Sequence, residues 1–369
     1  MKNFMVCGTF DNHGGKSSTV AEHLFEGLKE HLEDIKCFNG GYLNTIPLFL
    51  DNLAPKAEVI LWFPNISNEV ETKFVDRIKR ENHTCTLVIS KRNDNDQYSF
   101  ADLVQRMLTK RANLFVEIKK GERIMGRVLD PLGNMFLDWS EDFVKIGRVL
   151  GKRIEQVRRF RRVKSVKLND MVEVPENKEF FSLIREAAVK FHDLVPSVAN
   201  PSRFLGNASF RCTMGGFPSF RGEGNTIYVS KRNVDKREIS RESFVPIKLN
   251  RLILCSSSEM VWYCGDHKPS VDTPIQVALY NYYHKVNYIL HGHVYLKGFP
   301  FTNKPITCGA LDEYYEIRGK MPSQDYTFFG LNLLGHGFIL LSEDIKSIKK
   351  SLEHCVSRPA PENLEGAVK

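Results

Sequence analysis

The sequence predicts an α/β protein with two domains, a Rossmann-like domain followed by a second domain that is richer in strands. Its 369 residues, of which 42% are hydrophobic and 26% charged, suffice for two cores of ordinary size. Short apolar segments alternate with amphipathic ones through residues 1–140, whereas residues 179–355 begin with a helical pattern and then become β-rich. Residues 141–178 form a polar, basic junction, and residues 356–369 are predicted to be a flexible tail.

The first domain contains five predicted strands, which are Phe4–Gly8, Ile35–Phe38, Val59–Phe63, Thr86–Ser90 and Leu114–Ile118. Amphipathic stretches such as Val20–His31 and Val70–Glu81 lie between them. Continuous apolar strands that alternate with helices are typical of a parallel sheet covered on both faces. The pattern therefore predicts a Rossmann-like or flavodoxin-like domain.

A glycine-rich turn, G-T-F-D-N-H-G-G-K-S-S-T, connects the first strand to the first helix. Such a turn can hold a phosphate on backbone N–H groups at a helix N-terminus. The consensus G-x-x-x-x-G-K-[ST] is incomplete, because Phe10 replaces its first glycine and no later strand ends in an acidic residue for magnesium. ATP hydrolysis is therefore disfavoured. One remaining interpretation is an anion or nucleotide site formed by Gly14, Gly15, Lys16 and Ser17. The other is a plain turn whose helix is capped by Ser17 or Ser18.

The junction begins with a helical pattern over Glu141–Phe160 and continues into a basic segment, Arg158–Lys167, which supplies part of the net charge of +8. A local excess of Lys and Arg suits phosphorylated ligands, nucleic acid or an acidic partner. The segment has none of the motifs of a nucleic-acid-binding module. We therefore favour a solvated helix face or linker and expect no nucleic acid partner.

Eight cysteines are scattered through the chain without a C-x-x-C pair or the spacing of a disulfide framework. The N-terminal segment M-K-N-F-M-V-C-G lacks the apolar core of a signal peptide, and no run approaches the ~20 apolar residues of a membrane span. These features predict a cytoplasmic protein with reduced cysteines and no membrane association.

Three histidines stand in apolar segments of the second domain. The segment I-L-H-G-H-V-Y contains His291 and His293, which face the same side of a strand because side chains alternate along it. The segment L-L-G-H-G-F-I-L is predicted to be another strand, broken by His336. Neutral imidazoles suit zinc or another divalent metal, and three protein ligands are typical of a catalytic zinc site. Histidines satisfied by hydrogen bonds in the core are the alternative.

Asp272 lies in K-P-S-V-D-T-P-I-Q-V-A-L-Y, at the start of a helical pattern. Together with the three histidines, this carboxylate makes a plausible metal centre. Asp272 is also well placed to cap the helix that starts at Thr273. Two further histidines, His267 and His284, stand in polar surroundings and are predicted to be surface residues.

Five motifs in a common order make the second domain similar to the class II aldolase and adducin-like family over about residues 179–353. The motifs are Gly206–Arg211, Ile227–Val245, Pro269–Asp272, the pair His291 and His293, and His336-Gly337. The family includes fuculose-phosphate aldolase and ribulose-phosphate 4-epimerase. The resemblance implies an α/β domain with a central, largely antiparallel sheet. It also implies zinc bound by His291, His293 and His336, with acid/base chemistry at Asp272.

The resemblance further implies an anion site in this domain. The expected anion-binding residues are Asn207, Lys231, Arg232, Asn233 and Ser270. Arg232 and Asn233 replace a Ser/Thr-Gly pair of the family, and a second serine is lost. A guanidinium can bind phosphate through two hydrogen bonds or suit another anion. The expected substrate is therefore a phosphorylated or otherwise anionic sugar.

On this resemblance the second domain is expected to be a zinc-dependent aldolase-type lyase or a sugar-phosphate 4-epimerase. In such enzymes the metal stabilises an enediolate as a Lewis acid while an acid/base group moves protons. Two alternatives stay open. One is another zinc enzyme that acts on a nucleotide-linked sugar, with the nucleotide bound by the first domain, and the other is a non-catalytic adducin-like interaction module. Family members are often tetramers, so a homo-oligomer is also implied.

The segment after Tyr295 is shorter than in the family. Only about a dozen residues separate His293 from Pro305–Glu316, which resembles the family pattern i-P-c-x-x-x-G-T-x-e-L. The acidic or aromatic group that this stretch often supplies has no evident counterpart, so the second proton-transfer residue is unassigned. The candidates are Tyr295, Tyr314 and Tyr326, and a role as core aromatics is the alternative for each.

Overall fold

In the computed structural model the described residues are 2–131, 135–161, 165–194, 206–211, 226–232, 234–249, 260–304, 306 and 309–357. The chain divides into two compact units, Met1–Arg158 and Arg159–Lys369. Each unit is built around its own large sheet.

The first unit has a seven-stranded sheet with the order β2-β1-β3-β4-β5-β6-β7. Its strands are β1 (Asn3–Asp11), β2 (Ile35–Tyr42), β3 (Val59–Asn65), β4 (Thr86–Arg92), β5 (Leu114–Lys120), β6 (Ile124–Leu129) and β7 (Met135–Ser140). The helices of this part of the chain are α1 (Thr19–Lys29), α2 (Thr45–Asn52), α3 (Asn68–Glu81), α4 (Phe100–Thr109) and α5 (Phe143–Arg161). The first five strands are parallel and follow the order of flavodoxin-like folds. The predicted fold class of this domain is therefore confirmed.

The strands β6 and β7 extend this sheet in antiparallel fashion and are absent from the prediction. A buried ion pair joins β5 to β6. Arg127 Nε donates to Glu117 Oε2 at 2.7 Å, with side chains 4% and 1% exposed, and Asn93 Nδ2 donates to the other oxygen of Glu117 at 2.7 Å. Buried charges interrupt the apolar pattern that marks the five parallel strands, which is why β6 does not stand out in the sequence.

The second unit has an eight-stranded sheet with the order β15-β16-β13-β9-β10-β11-β12-β8. Its strands are β8 (Ser165–Leu168), β9 (Gly206–Arg211), β10 (Thr226–Ser230), β11 (Phe244–Lys248), β12 (Val261–Cys264), β13 (Tyr288–Gly292), β15 (Phe328–Leu333) and β16 (Gly337–Ser342). Two short strands, β14 (Tyr295–Leu296) and β17 (Cys355–Val356), pair separately. The helices are α6 (Lys178–Leu194), α7 (Thr273–Tyr282), α8 (Asp312–Lys320) and α9 (Ile345–Leu352). Among the described strands of this sheet, β8 and β12 alone pair in parallel, so the predicted, largely antiparallel sheet is confirmed.

Helices cover both faces of this second sheet. Along β13, Ile289 belongs to an apolar cluster with residues of α7 and α8, whereas Leu290 belongs to a cluster with residues of α6 and α9. Because side chains alternate along a strand, His291 points to the same face as Ile289. The α7 and α8 side of the sheet is therefore the side on which the histidines lie.

The predicted junction contains regular structure. The predicted helix corresponds to α5, and β8 forms the edge of the second sheet. In the basic segment, Arg158 is ion-paired with Glu58, and Lys167 Nζ lies 2.7 Å from Asp266. These pairs favour the interpretation of a solvated structural segment.

Among the described residues, no helix is long and apolar enough to cross a membrane. The cysteines in this part of the chain, Cys7, Cys37, Cys85, Cys264 and Cys355, form no disulfide bond with one another. Most of the predicted tail, residues 358–369, lies outside the described residues.

Candidate metal centre

Strand register brings the three histidines of the second unit together. β13 and β16 are antiparallel neighbours, with Gly292 at the end of β13 opposite Phe338 near the start of β16. His293 directly follows β13 and His336 directly precedes β16, so both lie at the same end of the ladder. The predicted strand through His336 is wrong, because β15 ends at Leu333 and His336 lies in the turn that connects β15 to β16.

Two glycines explain why the chain turns here. Gly335 has a φ of +73°, a left-handed conformation that favours glycine, and its N–H donates to the hydroxyl of Tyr295 at 2.8 Å. Gly337 is packed so closely that an added Cβ would lie 2.1 Å from the carbonyl oxygen of Gly292. The sequence G-H-G therefore specifies a tight hairpin that presents His336.

The three imidazoles form a compact, buried cluster. One ligand nitrogen from each lies within 4.8 Å of the others, and the ring centroids are 4.6 to 4.8 Å apart. The exposed fractions of His291, His293 and His336 are 4%, 3% and 1%. The structure thus brings together the three residues that the sequence predicts as metal ligands.

His291 presents an unused ring nitrogen. Its Nδ1 lies 2.7 Å from the carbonyl oxygen of Phe338, and because a carbonyl only accepts, Nδ1 carries the proton. Its Nε2 is buried and makes no hydrogen bond within the described part of the chain. Burial and the neighbouring His336 lower the pKa of His291 to about 3, so the ring is neutral. An imidazole in this state, with a lone pair on Nε2, is suited to bind a metal.

A buried carboxyl group supports His336. Glu313 Oε2 lies 3.0 Å from His336 Nδ1, and their side chains are 5% and 1% exposed. Burial, with a smaller contribution from Asp272, raises the pKa of Glu313 well above its usual value. Carboxyl groups that bond to the second ring nitrogen orient many metal-binding histidines. Sequence analysis missed Glu313. Its spacing could have indicated it, because Glu313 stands four residues before the buried Ile317 and therefore lies on the inward face of α8.

Asp272 occupies the N-cap position of α7, but its side chain makes no capping hydrogen bond. Its buried carboxyl instead accepts a hydrogen bond from Asn207 Nδ2, and Gln276 Nε2 donates to Asn207 Oδ1. Asn207 lies opposite His291 in the pairing of β9 with β13, so both side chains are on the same face. The capping alternative is not supported, and the carboxyl of Asp272 is held beside the histidine cluster.

Lys236 is a second charged residue near Asp272 that sequence analysis missed. It begins a short 3-10 helix and is 9% exposed. Burial lowers the pKa of its ammonium group to about 8, and the charge of Asp272 partly offsets that effect. A buried ammonium group is stabilised by nearby negative charge, so this position suits an anionic ligand.

The other predicted anion-binding residues lie along neighbouring segments. An isolated β-bridge joins Lys231 to the residue before Ser270, and the N–H of Ser270 donates to the end of β10 at 2.9 Å. Lys231 is half-buried and Arg232 is exposed, whereas Asn233 lies outside the described residues. The segments of Lys231 and Ser270 therefore meet close to Asp272. Their role in binding an anion stays a prediction.

The three candidate tyrosines have structural roles. Tyr314 is buried and Tyr326 is half-buried, and both pack in the apolar cluster that contains Phe329. The hydroxyl of Tyr295 supports the turn that presents His336. The core-aromatic alternative is favoured for Tyr314 and Tyr326. An acidic group near the histidines comes from Glu313 on α8, in the segment Pro305–Glu316 that follows the shortened one.

The glycine-rich turn of the first unit lies at the carboxyl end of β1. An added Cβ on Gly15 would meet a backbone oxygen of β1 at 1.9 Å, and one on Gly14 would lie 3.3 Å from the ring of Tyr42. Ser18 caps α1 by accepting a backbone N–H through its hydroxyl. Gly14 and Gly15 therefore serve close packing. The two predicted residues that line an adjacent cavity are Lys16 and Ser17.

Residues 197–354, which include the three histidines, match the family described as Class II Aldolase and Adducin N-terminal domain. The resemblance inferred from the sequence motifs is confirmed by this match. No curated protein matches the chain.

Solved structures similar to this chain include L-fuculose 1-phosphate aldolase, at 14% identity and a TM-score of 0.30, with 50% of this chain and 94% of that one covered. The N-terminal class II aldolase domain of a protein from Thermoplasma acidophilum is 12% identical, with coverage of 55% and 99% and a TM-score of 0.31. The DNA/pantothenate metabolism flavoprotein from Streptococcus pneumoniae is 10% identical, with coverage of 42% and 98% and a TM-score of 0.31.

Proposed function

We propose that the second unit, in which residues 197–354 carry the class II aldolase and adducin N-terminal domain, is a metal-dependent aldolase-type lyase or sugar-phosphate epimerase. The observation that carries this proposal is the buried cluster of His291, His293 and His336 beside the Asp272 network. A non-catalytic adducin-like module has no need for such a cluster, which is why the enzyme is preferred.

The residues present fit a divalent metal ion, and Zn²⁺ in particular. Neutral imidazoles are preferred zinc ligands. The Nε2 atom of His291 is buried without a hydrogen bond within the described chain, a state that costs about 1–3 kcal/mol unless a ligand uses the lone pair. A metal bound by the three histidines would act as a Lewis acid toward a carbonyl or hydroxyl oxygen of the substrate.

Asp272 is the residue best placed to move a proton. A general acid or base must be held within hydrogen-bond reach of the substrate. The carboxyl of Asp272 is buried beside the histidines and is oriented by Asn207, which Gln276 orients in turn. We therefore propose that the main role of Asn207 is to position Asp272. The anion contact that the family pattern implies is a second role of the same residue.

Positive charge near Asp272 favours an anionic substrate. Three basic residues lie in one stretch of the chain, of which Lys236 is buried, Lys231 is half-buried and Arg232 is exposed. Asp272 is the carboxyl group whose charge raises the pKa of Lys236 most strongly. A phosphate or carboxylate on the substrate would balance this excess of cations. The proposed substrate is a phosphorylated or otherwise anionic sugar. Ser270 and the segment that contains Asn233 complete the proposed anion site.

We also propose a cellular location and an oligomeric state for the enzyme. A cytoplasmic location agrees with the lack of disulfide bonds among the cysteines of the described residues. A homo-oligomer, and a tetramer in particular, follows the pattern of the family.

Nuclear magnetic resonance tests the reaction on the full chain loaded with Zn²⁺. A panel of phosphorylated, carboxylated and neutral sugars is incubated with the protein. We expect C–C bond cleavage, or inversion at one carbon, in an anionic sugar and no turnover of neutral ones. Asp272→Asn should lower kcat about 100-fold or more with metal content unchanged. Asp266→Asn, at an exposed residue paired with Lys167, should leave kcat unchanged.

Two outcomes would count against the proposal. Full activity of Asp272→Asn would remove this residue from proton transfer. A fully metal-loaded protein that turns over no sugar of the panel would favour an interaction module instead.

A further inference from the structure

The first unit contains a cavity of about 330 Å³ at the carboxyl ends of its parallel strands. The lining comes from the ends of β1, β3, β4 and β5 and from the first turns of α1 and α3. β1 lies between β2 and β3, so the chain moves to one side of β1 and then returns to the other. Open α/β sheets bind their ligands in the crevice at such a switch point, outside the carboxyl ends of the strands.

The lining of this cavity is strongly basic. Its charged residues are five cations, Lys16, Lys91, Arg92, Arg106 and Lys120, and one carboxylate, Glu71. Glu71 is already ion-paired with Arg106 and lies 3.5 Å from Lys110. Within the described part of the chain, neither Lys16 nor Lys120 has a carboxylate at salt-bridge distance. Arg92 is ion-paired with Asp94, which lies outside the lining. The cavity therefore keeps the positive charge of three lysines, Lys16, Lys91 and Lys120, for which the described chain offers no carboxylate at salt-bridge distance.

Arg106 adds a hydrogen-bond donor that points to a ligand. Its terminal nitrogen pairs with Glu71, but its Nε is buried and has no hydrogen-bond partner in the described residues. Such a donor is costly unless an acceptor is supplied from outside the chain. The lining also offers small polar groups for an anion, which are Thr9, Ser17, Ser18, Asn65, Asn68 and Ser90.

One wall of the cavity is apolar. The residues of this kind in the lining include Phe63, Pro64, Ile66, Ile118 and Ile124. Basic, polar and apolar groups in one crevice match a ligand that combines several negative charges with a flat, less polar part. The volume lies at the lower end of the roughly 300–1,000 Å³ of small-molecule sites.

We propose that this cavity binds a nucleotide with two or more phosphate groups. The basic side chains and the N-terminal end of α1 take the phosphates, and the apolar wall takes the base or the ribose. Lys16, Lys91 and Lys120 are left without a carboxylate at salt-bridge distance within the described residues, and together they carry more positive charge than one phosphate balances. The glycines of the turn are packing residues, so the site is formed by the crevice and is not a P-loop.

The structure also indicates binding without hydrolysis. The one carboxylate in the lining, Glu71, is engaged by two basic side chains, so the cavity offers no acidic side chain to hold a magnesium ion. Nucleotide binding should therefore not require magnesium. This inference is independent of the sugar chemistry proposed for the second unit.

Isothermal titration calorimetry of the full chain tests the inference, without magnesium and at two salt concentrations. The ligands are nucleoside triphosphates and diphosphates of the common bases, the matching nucleosides, and inorganic pyrophosphate. We expect at least one nucleotide to bind about tenfold or more tightly than pyrophosphate or its nucleoside, and more weakly at high salt. Lys16→Gln and Lys120→Gln should each weaken binding about tenfold. Lys36→Gln, at an exposed residue of β2, should not.

Three results would count against nucleotide binding in this cavity. Absence of heat with every nucleotide would overturn the inference. Equal affinity for pyrophosphate and nucleotides would reduce the cavity to a simple anion site, and equal weakening by Lys36→Gln would place binding elsewhere. Zinc content measured on the same samples distinguishes a failure of this inference from a failure of the proposed sugar chemistry.

Discussion

Replacing Glu313 with glutamine tests how a buried carboxyl group acts on the metal centre. The change keeps the shape of the side chain and an oxygen that can accept from His336 Nδ1 over 3.0 Å, but glutamine cannot take up the negative charge that a bound divalent cation would favour on Glu313. Hydrogen bonds to charged groups contribute about 1.5–3 kcal/mol and neutral ones about 0.5–1.5 kcal/mol. The difference, about 1–1.5 kcal/mol, corresponds to a loss of about tenfold in zinc affinity. Glu313→Ala should lower the zinc affinity by close to 100-fold, about the largest loss expected when a group that orients a metal ligand is removed.

Competition with a chromogenic chelator at neutral pH measures the zinc affinity of each variant. Glu316→Gln is the matched control, because Glu316 lies on the same helix but pairs with Lys304 at 3.0 Å. Its zinc affinity should equal that of the parent. If Glu313→Gln and Glu316→Gln bind zinc equally well, the carboxyl group does not support the metal ligand and the reasoning is refuted.

Three further substitutions test the structure around the sites. Gly337→Ala should destabilise the protein by more than about 1 kcal/mol and weaken zinc binding, because the added Cβ would lie 2.1 Å from a backbone oxygen. Gly319→Ala is the matched control, because a Cβ there meets nothing within 4 Å, and it should be neutral or stabilising. Glu117→Gln should cost the first unit about 3–5 kcal/mol, because Arg127 loses its buried counter-charge. Tyr295→Phe should cost about 1–3 kcal/mol, because a buried backbone N–H loses its acceptor, with the pH profile of turnover unchanged.

Urea unfolding followed by circular dichroism measures these stabilities. Glu122→Gln, at an exposed position of the first unit, is the control for Glu117→Gln. Equal stability of the two alanine variants would contradict the close packing of the hairpin. A pH profile displaced by Tyr295→Phe would return this tyrosine to the candidates for proton transfer.

Much of the first unit could be predicted from the sequence because its parallel strands are buried on both faces. Such strands are continuous apolar runs, and helices with a polar face separate them. The ion pair of Glu117 with Arg127 makes β6 hard to predict, because a charged residue in a short segment normally indicates that the segment is exposed to solvent. Only the pairing across the sheet, which local patterns do not encode, makes these two charges compatible with burial.

The three histidines of the candidate metal centre could be predicted from the sequence, but the groups that support them could not. Strand alternation predicts that His291 and His293 face the same side, and His336 stands out as a lone histidine in another apolar segment. In the structure His293 directly follows β13 and His336 lies in a turn, so the strand ends differ from the prediction although the cluster forms. Glu313 and Lys236 enter the site only because α8 and a short 3-10 helix pack where they do. In the sequence they resemble ordinary charged residues of solvated helices.

The metal content of the full chain tests the central claim most directly. Gentle purification followed by elemental analysis should find one divalent ion per chain in the parent and in His284→Ala, which alters an exposed histidine. The double variant His291→Ala, His293→Ala should hold none and should not take up zinc on dialysis. A parent protein that holds no stoichiometric metal and takes up none would contradict the metal centre and the chemistry proposed for it.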